Sequence, residues 1–317
     1  MTEIQFRRVA TNGIEINIAE AGEGPLVLLT HGFPESWYSW RHQLPVIAAA
    51  GFRAVAPDMR GYGRSDKPQD ITTYNQVNVI QDIVGLIPAL GYETAVIIGH
   101  DWGAPTAWGA AELHPDRITA VGALSVPYSP RADAPPLDTM RAIFKDVFFY
   151  QLYFQEPGVA EKEWEADIRT NLRKFFHLGS GAFDKTLAQS KGPDADLLSD
   201  IADPGSLGGW CTDEDLDYYT AEFTDSGFRG PLNYYRNHNL TWELTADAPG
   251  TIQQPAMFVA GAEDGVILMA ADALNKLPVR VPNLLINELI PEIGHWTQQE
   301  APEAVNQYIL EFLSKVS

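Results

Sequence analysis

The feature that most constrains this chain is a series of short, continuously apolar runs. They lie at Pro25 to Thr30, Arg53 to Pro57, Ala95 to Gly99, Ala120 to Val126, Ala256 to Ala260 and Leu284 to Ile290. Runs of this length fit strands buried on both faces, as in a parallel sheet. Most are separated by helical segments, such as Val77 to Leu90 and Ala104 to His114. Strands alternating with helices predict βαβ units and a parallel sheet covered by helices. The first thirty residues read as strands, with Ile14 to Ala19 alternating after an Asn12-Gly13 turn signal. With 317 residues and 45% hydrophobic content, the chain can build one large core and carry an insertion as well.

The alternation breaks between residues 130 and 248. This stretch is rich in aromatic and acidic residues at helical spacing, as in Leu137 to Tyr153 and Glu214 to Phe223. The expected organisation is therefore a core over residues 1–129, a helical insertion over 130–248 after the sixth strand, and the rest of the core over 249–317. Ligand sites in open α/β sheets lie beyond the carboxyl ends of the strands, and an insertion there would roof the site.

A formal net charge of -20 argues against a nucleic-acid partner and against a polybasic membrane anchor. The opening MTEIQFRRVA lacks the apolar core of a signal peptide, and no run is long enough to span a bilayer. A soluble cytoplasmic protein is expected, as monomer or homodimer. The single cysteine, Cys211, can form no intramolecular disulfide, and the acidic stretch it opens would weaken its thiolate. It reads as structural. No Cys/His cluster has zinc-site spacing, and neither a metal nor an organic cofactor is expected.

Gly99-His100-Asp101-Trp102-Gly103 follows one buried run and precedes a helix. The pattern small-x-nucleophile-x-small is that of a nucleophile elbow, a sharp strand-to-helix turn. Glycines at both ends allow close approach, and the helix N-terminus favours an anion at the centre. Serine usually stands there; here it is Asp101. A carboxylate attacks without a base to deprotonate it, forming an ester at an alkyl carbon that water must then hydrolyse. The competing reading is an aspartate that merely caps the helix.

His31-Gly32-Phe33-Pro34 directly follows another buried run. In such a fold the backbone N–H of Phe33 is one oxyanion donor and that of Trp102 the other, unless the segment is a plain turn. Gly294-His295-Trp296 follows the last run, and His295 is the only histidine beyond it. It is the candidate base for the hydrolytic water. Asp264, just past Met257 to Ala260, is the candidate acid that orients His295, with Glu263 its neighbouring competitor.

Together these residues resemble the soluble epoxide hydrolases of the α/β-hydrolase superfamily. The motifs are HGFPESWYSWR from His31, PDMRGYGRSDKP from Pro57, GHDWGA from Gly99 and GHWTQQE from Gly294. Two more specific ones lie in the insertion, YQLYFQEPG from Tyr150 and SGFRGPLNYYRN from Ser226. The resemblance implies a mostly parallel eight-stranded sheet flanked by helices, with an inserted helical cap. It implies conversion of a small apolar epoxide and water to a vicinal diol. It also implies that Tyr150 and Tyr235 hold and protonate the epoxide oxygen, and that Glu35 and His100 help place the water. Tyr234 and Tyr235 should point about 100° apart if helical, and the family pattern selects Tyr235. Ala104 replaces a glycine common in relatives, and Gly265 stands where an aromatic often follows the acid, a change that would widen the pocket. Trp37, Tyr38, Trp40, Phe148, Phe149 and Trp102 are candidates for an apolar pocket lining.

A haloalkane dehalogenase would share Asp101, Trp102 and His295. It usually has an asparagine at the position of Phe33 as second halide donor, and it would leave the tyrosines idle. A fluoroacetate-type enzyme would want arginines where Trp102-Gly103-Ala104-Pro105 stands. A serine esterase is excluded at residue 101. A non-catalytic receptor on the same fold is separated from an enzyme by turnover of an epoxide.

Overall fold

The computed structural model describes residues 3–187 and 190–316; residues 188–189 of the expected insertion lie outside the description. The apolar runs become strands of one eight-stranded sheet in the order β1-β2-β4-β3-β5-β6-β7-β8. The strands are β1 (Gln5–Thr11), β2 (Ile14–Ala21), β3 (Leu26–Thr30), β4 (Arg53–Pro57), β5 (Ala95–His100), β6 (Ile118–Leu124), β7 (Ala256–Gly261) and β8 (Leu284–Ile290). β1 and β2 form an antiparallel hairpin closed by Asn12 and Gly13, whose φ angles of 43° and 77° are those a primed two-residue turn requires. β2 also pairs antiparallel with β4, and from β4 to β8 every pairing is parallel.

β3, β5 and β7 are buried at every position, which is why they read as unbroken apolar runs. Neighbouring side chains on β5 go to opposite faces. Ile97 packs into the cluster with Ile83 and Trp108, and Ile98 into the cluster with Val27 and Phe312. The first cluster draws on helices Gln76–Ala89 and Gly103–Leu113, the second on Leu44–Ala49 and Pro302–Val316. Fully burying one such isoleucine stabilises by about 1.5–3 kcal/mol. β8 departs from the expectation of a doubly buried strand. It is an edge strand paired only with β7, and only Ile286 in it is buried.

Between β6 and β7 the described residues form helices and no strand. The helical spacing across Leu137 to Tyr153 does not make one helix. Pro136–Ile143 ends, and a short helix restarts at Tyr150–Tyr153. Between them Phe148 N–H donates to Lys191 O at 2.8 Å, and Phe149 folds back to stack on Phe144 with ring centroids 4.0 Å apart. These contacts, the one with Lys191 from far along the chain, take the place of the helical ladder. The helix Asp213–Ser226 follows its pattern because Thr212 and Asp215 form a reciprocal capping box.

The insertion is tied to the carboxyl-terminal ends of the sheet. Tyr234 donates to Arg60 O at 2.9 Å, Trp296 Nε1–H to Phe176 O at 2.7 Å, and Arg41 pairs with Asp215 at 3.0 Å. Among the described residues no helix is long and apolar enough to cross a membrane.

Candidate active site

β5 ends at His100, Asp101 turns with φ 49°, and the next helix begins at Gly103. A left-handed backbone on a non-glycine residue costs about 1–2 kcal/mol and persists only where its surroundings hold it. Here they do. A Cβ on Gly99 would lie 2.0 Å from Gly103 O, and one on Gly103 would lie 2.0 Å from Thr30 O. Strand, turn and helix therefore meet closely only with glycine at both positions.

Asp101 does not cap the helix. The N-cap position is Trp102, without a side-chain cap bond. Asp101 Oδ1 instead accepts the Phe33 N–H at 2.7 Å. A Cβ on Gly32 would lie 2.3 Å from Asp101 Oδ1, so the His31-Gly32-Phe33 turn needs its glycine to bring that amide in.

His295 lies between two carboxylates. Its Nε2 is 3.4 Å from Asp101 Oδ2 and its Nδ1 is 3.0 Å from Asp264 Oδ2. Asp264 Oδ1 accepts the Val266 N–H at 2.8 Å, which fixes the carboxylate at the start of a short helix. Glu263, its sequence neighbour, points away and pairs with Lys185. The backbone of His295 is clamped as well. Its N–H donates to Gly179 O at 2.7 Å, and its carbonyl oxygen meets His100 Nε2 at 2.7 Å and Ser125 Oγ at 2.8 Å.

Burial works against charge on His295, but the Asp264 and Asp101 carboxylates outweigh it and hold the imidazole well above its ordinary value. Burial would raise Asp101, yet His295, His100 and the Phe33 amide hold it below the usual carboxylate range. The surroundings of His295 thus favour its imidazolium form.

His100 and Glu35 come together under this group, both fully buried. His100 Nδ1 lies 2.8 Å from Glu35 Oε2, which also accepts the Gly32 N–H at 3.0 Å. Glu35 Oε1 accepts from Gln298 at 3.1 Å and from Gln299 at 3.0 Å. Glu35 therefore joins the Gly32 turn, the nucleophile strand and the segment after His295. Burial would raise its pKa, and the neighbouring His100 more than reverses that.

A cavity of about 440 Å³ opens over Asp101, and Trp102, Tyr150, Tyr234 and Tyr235 all line it. Tyr150 and Tyr235 meet edge to face with centroids 5.9 Å apart, and Tyr235 stands edge-on to Trp102 at 5.0 Å. Burial, with the Asp101 charge nearby, pushes both phenols well up from their ordinary value, so they keep their protons. Gln151 Nε2 donates to the Tyr150 oxygen at 2.9 Å, which leaves the Tyr150 hydrogen free to be donated elsewhere. The Tyr234 hydroxyl, by contrast, is already engaged by Arg60 O.

The expected aromatic lining is largely different. Trp102 lines the cavity, but Trp37, Tyr38, Trp40, Phe148 and Phe149 do not. Tyr38 stacks on Tyr218 at 4.0 Å, Trp37 meets Phe6 at 4.9 Å, and Phe148 turns to Tyr153. The wall is built instead by Trp108, Tyr128, His238 and Trp242. One signal for it was present in the sequence. Trp102, Pro105, Trp108, Gly109 and Glu112 follow the nucleophile at helical spacing, and all line the cavity. Gly265 itself is not part of the wall, although its neighbour Val266 is. Cys211 is buried, and burial with Asp215 nearby pushes its thiol up to about 12. Among the described residues no group of three His, Cys, Asp or Glu side chains could hold a metal ion.

A carboxylate at a strand-to-helix elbow, facing a histidine–aspartate pair at the ends of parallel strands, defines a hydrolase of the α/β class. The family model for the alpha/beta hydrolase fold matches residues 25–302. Epoxide hydrolase A of Mycobacterium tuberculosis is 44% identical over 314 residues, covering 97% of either chain. An epoxide hydrolase from an endophytic Streptomyces has a solved structure with TM-score 0.95 and 45% identity, covering 98% of this chain and 95% of that one. Epoxide hydrolase A from Mycobacterium thermoresistibile superposes with TM-score 0.93 at 42% identity, covering 99% of both. The chain belongs to the α/β-hydrolase fold family, and within it to the epoxide hydrolases.

Proposed function

We propose that this protein opens epoxides to vicinal diols through an alkyl ester on Asp101, with residues 130–248 acting as the cap over a core of 1–129 and 249–317. The observation that carries the reading is the sharing of one cavity by the Asp101 carboxylate and the two phenols, Tyr150 and Tyr235. An apolar epoxide and water are the reactants.

The first step needs an anion aimed at carbon and an acid aimed at oxygen. Asp101 attacks a ring carbon, the C–O bond breaks, and its electron pair goes to the ring oxygen. That oxygen takes a proton from Tyr150 or Tyr235. Ester formation removes the charge of Asp101, one of the two carboxylates that keep His295 protonated. His295 then gives its own proton to the phenolate, restoring the phenol, and becomes a neutral base.

In the second step His295, oriented by Asp264, takes a proton from water, and the hydroxide attacks the ester carbonyl. The Phe33 and Trp102 backbone amides stabilise the oxyanion. Collapse expels the diol alkoxide, which takes the proton from His295. Asp101 then returns its own proton to His295, restoring the starting state. Glu35 and His100 serve this step by holding the Gly32 turn and the His295 carbonyl, and so the place of the water. The dehalogenase alternative gains no support, since the Phe33 ring packs against Trp164 and Tyr235 and offers no donor to a halide.

A single turnover in heavy-oxygen water tests the ester. The first diol should carry ordinary oxygen from Asp101, and the label should enter the enzyme. Heavy oxygen in the first diol would mean direct attack by water and would refute the mechanism.

A further inference from the structure

We infer that His238 is a specificity-determining residue, hydrogen-bonding a neutral ether or hydroxyl oxygen carried a few bonds from the epoxide ring. The inference rests on the epoxide-hydrolase reading above. It concerns which epoxides the site prefers.

His238 lines the same cavity as Asp101 and the two phenols. Its ring centroid is 5.4 Å from that of Trp102 and 6.4 Å from that of Tyr235. It therefore stands beside the place where the ring oxygen would be held. Its Nε2 is buried and has no hydrogen-bond partner among the described residues. Buried polar atoms are nearly always paired, so an unpaired nitrogen just beneath the surface of a residue that lines the cavity is a group for a ligand to satisfy as the ring adjusts. Of the side chains with such an orphaned atom, only His238 and Gln151 line this cavity. Gln151 already binds Tyr150 through its other amide atom. Among the described residues the His238 side chain makes no hydrogen bond. His238 opens the helix His238–Leu244, but the cap position there is Asn237, which has no side-chain cap bond either.

The chemistry of the group narrows the ligand. Burial pushes the His238 imidazole down to about 4, so at neutral pH it is uncharged, with one N–H donor and one acceptor nitrogen. An uncharged imidazole gives an anion no ion pair, which favours a neutral oxygen over a carboxylate or phosphate. A leucine or methionine at this position would close the wall without offering a hydrogen bond.

The test compares kcat/KM for phenyl glycidyl ether with that for 4-phenyl-1,2-epoxybutane, in which a methylene replaces the ether oxygen. The ratio of the two should fall about fivefold in H238L, because one neutral hydrogen bond to the substrate is lost. H238Q, which keeps a donor at that position, should stay within about twofold of the original ratio. Both substrates are read on one protein sample, so any unfolded fraction cancels, and H238M serves where H238L folds poorly. A ratio unchanged within about twofold in H238L and H238M, with diol still formed, overturns the role of His238 alone. Absence of diol from both substrates with the unaltered protein overturns the epoxide reading, and this inference with it.

Discussion

The two halves of the site are held in different ways. Asp101, Asp264 and His295 follow the ends of three parallel strands of the sheet, β5, β7 and β8, with β6 between the first two. Each is fixed by hydrogen bonds to backbone or to another buried polar group: Phe33 N–H on Asp101, Val266 N–H on Asp264, and Gly179, His100 and Ser125 on the backbone of His295. Tyr150 and Tyr235 sit instead on a four-residue helix and a three-residue 3-10 turn of the insertion, among aromatic rings. Charges taken out of water need directed partners to be held at all. A phenol needs only an apolar surround that keeps its proton on and its hydroxyl turned into the cavity. The ionisable carboxylates and histidine thus sit at the sheet, and the two un-ionised phenols sit on the insertion.

This contrast predicts opposite fates for the ester. His295→Ala should lower turnover at least about 1,000-fold, because hydrolysis loses its base while alkylation survives. The ester should then accumulate, as a mass increase of the intact protein equal to the epoxide added. An unmodified mass with substrate in excess would remove His295 from the second step.

Replacing the phenols should do the reverse. Tyr150→Phe should slow ring opening about 10- to 100-fold, with no ester accumulating and KM little changed. The double Tyr150→Phe, Tyr235→Phe protein should fall further, since no proton donor remains. Near-normal diol formation by the double variant would show that the insertion contributes only shape.

The smallest effect falls on the seam between the two regions. Glu222, on the inserted helix Asp213–Ser226, accepts from Tyr218 at 3.0 Å. Burial, and then the charge of Asp58 from the core, push its carboxyl from 4.5 up to about 7. A folded-state pKa above the unfolded one favours folding fully at low pH, and the benefit is lost as pH rises through about 7. Glu222→Gln should therefore raise stability at pH 8 by on the order of 1–3 kcal/mol and change it little at pH 4, read from thermal melts at the two pH values. An equal shift at both would place the effect in packing and not in titration.

Much of the core half was legible in sequence because its signals are local. A strand buried on both faces must be apolar throughout, so β3, β5 and β7 announce themselves. A turn as tight as the one at Asp101 admits only glycine at residues 99 and 103, and that spacing is visible without coordinates. The insertion was less legible. Leu137 to Tyr153 carries helical spacing, yet the chain breaks at Ile143 because Phe148 and Phe149 find partners in Lys191 and Phe144. Trp37, Tyr38 and Trp40 are as aromatic as any pocket wall, but they pack away from the cavity. Composition indicates that rings will be buried; it does not say against what.

The sequence by itself determined a parallel sheet, a carboxylate at its elbow, and a histidine beyond the last run. Each follows from constraints acting over a few neighbouring residues. Only the tertiary structure decided that Asp264 and not Glu263 faces His295, that Glu35 joins three separate segments, and that His238, on the cavity wall, keeps a buried nitrogen unpaired among the described residues. Those outcomes depend on which residues far apart in the chain are brought within hydrogen-bond reach. That is set by long-range packing of the insertion on the sheet, for which no local pattern exists.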